Sequence, residues 1–157
     1  MQLSFTRKQE IEPETYSLYL QALYFLKAGQ NESLKRSLEM FQRVTDLNPN
    51  YPPAWVGIAD ACWNLISHDE IDKPTGLELA ENACKRALEL DVNYAESAAF
   101  QIAEIYGVHR DLDKVFHWLN FAIDVKDNGI TEMFTSPFLR EAREDTRWAN
   151  LVQRRGL

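Results

Sequence analysis

A chain of 157 residues with 45% hydrophobic and 26% charged side chains can bury roughly 70% of its unfolded surface in one globular domain. Its net charge of -7 excludes broad contact with a phosphate backbone, which needs clustered lysine and arginine to release counterions. No apolar run approaches the roughly 20 residues of a bilayer-spanning helix, and the opening MQLSFTRKQEIEPE has no apolar core of a secretory signal. The two cysteines, Cys62 and Cys84, are too few for a disulfide scaffold and lack metal-site spacing. The expectation is a cytoplasmic protein with no direct nucleic-acid contact and no membrane association.

Apolar residues recur at steps of three and four, and strand-like alternation is scarce, so the elements are helices. The first is predicted from about Thr15 to Ala28, stopped by Gly29, which can take the left-handed conformation at a C-terminus. The second, from about Ser33 to Leu47, puts Leu34, Leu38, Phe41 and Val44 on one face and halts before Pro49. The third opens in PPAW, where proline suits a first turn whose N–H has no helical partner, and runs to about Ile66. SHDEIDKPTG reads as a loop. Three more helices follow, from about Leu77 to Leu90, Ala95 to Val108 and Leu112 to Val125, with Asp127, Asn128 and Gly129 ending the last.

These six helices form three pairs that share an internal register. Leu18, Ala22, Phe25, Ser37, Phe41, Val44 and Pro49 mark the first pair. Trp55, Ile58, Ala59, Cys62, Ala80, Cys84 and Ala87 mark the second, and Ile102, Ala103, Tyr106, Val115, Leu119 and Ala122 the third. Two antiparallel helices approach closely only where a small side chain faces the partner and large ones fill the gaps beside it. Ala22, Ala59 and Ala103 are therefore expected at the contacts within pairs, with Phe41, Trp55 and Tyr106 filling the spaces between them.

These offsets resemble the tetratricopeptide repeat, a helix–turn–helix unit of about 34 residues, from about Thr15 to Gly129. The match is degenerate: the usual glycine of the first helix is alanine in all three units, and the closing proline survives only as Pro49. The resemblance implies an all-α fold, a right-handed superhelical stack of units 15–51, 52–94 and 95–129, preceded by an N-terminal segment 1–14 and closed by a helical cap 130–157. More narrowly, YLQALYFLKAGQNESLKRSLEMFQRVTDLNPNYPPAWVGIADACWNL resembles the repeat region of bacterial transcriptional regulators with an N-terminal winged-helix domain, of the invasion-gene activator type, and of arrays that follow some bacterial adenylate cyclases. Nothing in the chain matches a winged helix or a cyclase.

A stack of repeats needs ends whose outer faces tolerate water. At the C-terminus, Asp145 is expected to cap a helix with Trp148, Leu151 and Val152 inward and Arg147, Arg154 and Arg155 outward. The first helix is apolar around nearly its whole circumference through Tyr16, Leu18, Tyr19, Leu20, Leu23, Tyr24, Phe25 and Leu26. Such a helix is normally buried all round. Either residues 1–14 fold over it with Leu3, Phe5 and Ile11, or a homodimer mate or a further domain covers it.

In the resembled family the first helix of each unit lines a concave groove, which implies a partner-binding site at Tyr16, Tyr19, Leu23, Val56, Asp60, Trp63, Asn64, Phe100, Glu104 and Val108. Aromatics beside carboxylates suit a peptide with an apolar anchor and a basic neighbour. The competing reading makes Trp63 and Phe100 core filling. The clamp for a terminal carboxylate used by chaperone-binding repeats is missing, since its positions hold Tyr19, Leu23, Gly57, Ser97 and Gln101, with no cation.

Catalytic signals are thin. His68, His109 and His117 lack HExxH spacing, there is no phosphate loop, and HDEIDK lacks the glycine of a calcium loop. Cys62 and Cys84 fall at inward positions as inert thiols. The triplet Asn31, Glu32, Ser33 reads as helix-start chemistry rather than glycosylation. The arginines of the tail, interleaved with Glu141, Glu144 and Asp145, read as a mixed solvated face. The expected function is a non-catalytic interaction module without cofactor or metal, binding a peptide or protein in the groove within a bacterial regulatory assembly. The alternative is a regulatory or oligomerisation domain of a transcriptional regulator whose first helix packs on another domain or a dimer mate.

Overall fold

The computed structural model describes residues 11–91 and 95–156, with the backbone alone at 95–98. Among these residues the regular structure is helical and contains no strand. The order is α1 (Pro13–Ala28), α2 (Asn31–Leu47), α3 (Pro52–Ser67), α4 (Lys73–Leu90), α5 (Ala95–Val108) and α6 (Leu112–Asp124). Two 3-10 segments, Asn128–Phe134 and Pro137–Leu139, lead into α7 (Arg140–Glu144) and α8 (Trp148–Arg155). Each of the first six helices packs on the next, giving consecutive hairpins around one continuous core.

Local chemistry accounts for the boundaries. Pro13 opens α1 and Gly29 closes it at φ 68°. Helix α4 starts earlier than expected and absorbs KPTG, because Asp72 caps it: the Thr75 N–H and hydroxyl both donate to Asp72 Oδ2, at 3.2 and 2.8 Å. Asp111 caps α6 in the same way by accepting from Lys114 N–H at 3.2 Å. Helices α3, α5 and α6 end with one shared turn. A left-handed residue, Asp69, Arg110 or Lys126, is followed by an N–H that reaches back five residues: Glu70 to Leu65, Asp111 to Tyr106 and Asp127 to Ala122. None of these residues is glycine, yet the three helices end at Ser67, Val108 and Asp124, within one residue of the predicted ends.

The core follows the expected alternation of small and large. Ala22, Ala59 and Ala103 are buried, and the Ser37 hydroxyl satisfies the carbonyl of Ala22 at 2.9 Å where α2 crosses α1. Between the first two hairpins, Phe41 is fully buried against Gly57, where an added Cβ would stand 2.4 Å from the Phe41 ring. Between the next two, Tyr106 is buried and its hydroxyl donates to Glu81 on α4. Trp55 stays half-buried and donates its indole N–H to the Pro49 carbonyl at 2.9 Å. Asn31, at the start of α2 as expected, does not cap it with its side chain, which reaches across to the α3–α4 turn, pairing with His68 at 2.9 Å and with Glu70.

At the C-terminus Leu151 is buried and Trp148 and Val152 pack on the core as expected, but the path to α8 differs. The two 3-10 segments turn back over α5, burying Ile130, Met133 and Leu139, while α8 lies on α6. Asp145 ends α7 rather than capping α8, and it accepts the backbone N–H and the Nε of Arg147, each at 2.9 Å. Arg147 also pairs with Asp113 at 2.6 Å, and Arg154 with Asp124 at 2.5 Å. These arginines tie α8 to α6 instead of facing outward freely.

Truncating Phe41 would open a cavity between hairpins, where relaxation is limited by helices on both sides. Phe41→Ala is expected to lose about 3–5 kcal/mol of stability in urea titrations followed by circular dichroism.

Candidate functional site

The face carried by α3 and α5 meets the returning terminal segment, and the geometry there begins with one carboxylate. Asp127, three residues beyond the end of α6, is 2% exposed. Its Oδ2 accepts from the Phe100 N–H and its Oδ1 from the Gly129 N–H, both at 2.8 Å. These bonds turn the chain toward α5 at the point where Gly129 fits against the Phe100 ring; an added Cβ would lie 2.8 Å from it. Farther on, the Ser136 hydroxyl donates to Glu104 Oε1 at 2.6 Å. Gly107 lets the Phe138 carbonyl pass where a Cβ would stand only 2.2 Å away. Arg143 holds the bend by donating to the carbonyls of Met133 and Ser136 at 3.2 and 2.8 Å.

A cleft of about 310 Å³ remains between α3, α5 and this segment, lined by Trp63, Phe100, Gln101, Glu104, Asp127, Asn128, Gly129 and Glu132. The Trp63 ring meets Phe138 edge-on, with centroids 5.2 Å apart. At its inner side Gln101 bridges units, donating to Asp60 Oδ1 at 3.3 Å and accepting weakly from the Cys84 thiol at 3.9 Å. Burial pushes the Asp60 carboxyl above its ordinary range, partly offset by Gln101. The Glu104 carboxyl is also raised, first by burial and then by the neighbouring carboxylates Glu132 and Asp127, against the opposing bond from Ser136.

The ten predicted groove residues do not form one surface. Trp63, Phe100 and Glu104 line the cleft and Asp60 is bound to Gln101 beside it, yet Phe100 is 3% exposed and belongs to the core, so its ring is not open to a partner. Val108 lies on the far side of Phe138, in a separate cavity of about 470 Å³ with Lys73, Arg110 and Arg140. Asn64 is exposed and spends its amide on the Asp60 carbonyl at 2.8 Å. Val56 is half-buried and lines neither cavity. On α1, Tyr19 packs on Phe41 and Tyr51 at 5.9 and 5.3 Å, and Leu23 lies against the core. Tyr16, stacked on Tyr19 at 6.1 Å, remains 43% exposed.

Asp127, Glu132, Ser136 and Phe138 were missed by the sequence reading. Only Asp127 left a local trace, since Asp-Asn-Gly favours a turn in which the side chain accepts from a backbone N–H two residues on. Both cysteines are buried, and burial pushes each thiol up to about 12, so neither carries a thiolate. Among the described residues, no group of three or more histidine, cysteine, aspartate or glutamate side chains is arranged to hold a metal ion. No helix among them is long and apolar enough to cross a membrane.

A carboxyl whose native pKa is raised binds its proton more readily in the folded than in the unfolded chain. Its contribution to stability therefore grows as pH falls through the raised value toward the ordinary 4.5. Glu104→Gln is expected to remove part of that acid-side gain, read as a smaller rise, or larger loss, of Tm between about pH 7 and about pH 5 than in the unsubstituted chain.

No family model matches the chain, and neither does any of the curated proteins.

Proposed function

We propose that this chain is a tetratricopeptide-like repeat array that binds a protein or peptide on the face lined by α1, α3 and α5. On this reading the units are α1–α2, α3–α4 and α5–α6, stacked as a right-handed superhelix in which that face is concave, and the module works without catalysis in a cytoplasmic bacterial regulatory assembly. The observation that carries the reading is the recurrence of one packing device: a buried alanine in the first helix of each hairpin, at Ala22, Ala59 and Ala103, with each hairpin packed on the next. Repeats of this kind present side chains of successive first helices side by side, which suits an extended ligand. The cleft beside Trp63 is the open part of that face, because the terminal segment already covers much of α5.

Affinity capture from a lysate of the source organism tests this. The full chain is expected to retain a specific partner that a Trp63→Ala variant, folded by circular dichroism, loses by at least about tenfold, as for an aromatic hot spot. A partner held equally by both would remove the Trp63 face from the reading.

A second reading is favoured by α1. Tyr16, Leu20 and Tyr24, spaced one turn apart, are 43%, 46% and 71% exposed and form an apolar stripe. Ile11 is half-buried, whereas Leu3 and Phe5 of the proposed covering segment lie outside the described residues. In that case the chain is a regulatory or oligomerisation domain, with the stripe packed on a dimer mate or on another domain of a transcriptional regulator. Sedimentation velocity across a concentration series is then expected to show a reversible dimer that Leu20→Glu converts to monomer; a monomer at every concentration would exclude the dimer.

A further inference from the structure

Three features of the cleft bear on what it receives. Its volume of about 310 Å³ sits at the lower limit of small-molecule sites, about 300–1,000 Å³, and so suits one long side chain better than a cofactor. One wall is the indole of Trp63, and indole is the strongest of the aromatic partners for a cation. Glu104 from α5 and Glu132 from the terminal segment line the same space, as does Gln101, which is bound to Asp60.

Among the described residues, none of the ion pairs includes Asp60, Glu104 or Glu132, although the chain pairs its carboxylates with lysine or arginine elsewhere. Arg143, on the same terminal segment, turns instead to the carbonyls of Met133 and Ser136. Burial and the neighbouring carboxylates already disfavour charge on Glu104. An incoming cation would relieve that repulsion, whereas an acidic ligand would add to it. A bare metal ion is not suited to the same walls, because no group of carboxylates there is arranged to coordinate one.

We propose that the cleft between Trp63, Glu104 and Glu132 receives a lysine or arginine side chain of a protein partner. This inference rests on the groove reading and adds to it the chemistry of the ligand. The indole face takes the methylene stem and the cationic head together, and the two glutamates accept its N–H groups. The Phe138 ring packs edge-on against the indole of Trp63 and so helps to fix its position beside the cleft.

The test is a selection of displayed random peptides on the full chain, followed by titration of the enriched sequences with fluorescein-labelled copies. Enriched peptides are expected to carry lysine or arginine beside an apolar residue, and to bind about tenfold more weakly to Glu104→Gln or Glu132→Gln and at high salt. Glu132 is exposed, so its substitution leaves the fold intact and guards against a misfolded Glu104 variant. Enrichment of apolar peptides without a cation, bound in a Trp63-dependent way, would overturn the cation inference and leave the groove reading standing. Peptides that bind equally to Trp63→Ala, or a selection that enriches nothing, would overturn both.

Discussion

Asp127 holds a carboxylate at 2% exposure, and a charge so placed is tolerated only when hydrogen bonds replace the water it lost. The N–H groups of Phe100 and Gly129 supply two of these bonds at 2.8 Å each. Because the donors lie on α5 and on the segment after α6, satisfying one buried group also decides where the chain goes next. It goes back across α5, and the remaining features of the site follow: the Ser136 bond to Glu104, the passage of Phe138 over Gly107 and the meeting of Phe138 with Trp63. A terminal segment that simply continued the line of hairpins would have left Phe100 open and formed no cleft.

The hairpins themselves rest on nonpolar packing of a simple kind. Small residues on the first helix of each hairpin bring the partner helix close, and a large residue then occupies the space before the next hairpin. Phe41 against Gly57 shows how narrow the fit is, since a single added methyl would overlap the ring. Polar groups that fall within this core are satisfied locally, as with Ser37 on the Ala22 carbonyl. Polar residues also join units where apolar contact ends, through the Cys84, Gln101 and Asp60 chain and through Tyr106 with Glu81.

Charge is distributed unevenly over the fold. The arginines of the terminal helices are largely engaged within the chain, Arg147 with Asp113 and Asp145 and Arg154 with Asp124. Arg147 also lies over the Phe116 ring at 4.5 Å, and its guanidinium holds the Asp145 carboxyl at about 2. Beside Trp63, Glu104 and Glu132 take part in none of the ion pairs among the described residues. The difference separates charges that serve to dock α8 from charges that face an open cavity.

The amino-acid sequence by itself determined the elements that depend on neighbours a few positions away. The apolar spacing of Leu34, Leu38, Phe41 and Val44, the prolines at the start of α3, and Gly29 at the end of α1 specify helices through contacts within one or two turns. The buried alanines were legible for the same reason, because their register repeats from hairpin to hairpin. The ends of α3, α5 and α6 fall within one residue of expectation, but the turn that closes them was unmarked, since Asp69, Arg110 and Lys126 adopt a backbone conformation usually marked by glycine. Only the tertiary structure decided that Phe100 is core, that Val108 belongs to another cavity, and that Glu132 and Phe138 join Trp63. Those outcomes depend on contacts between residues 27 to 41 positions apart, such as Phe100 with Asp127, Glu104 with Ser136 and Asp60 with Gln101. No periodicity within a helix encodes them, because they are set by which buried groups can be satisfied once the helices have packed.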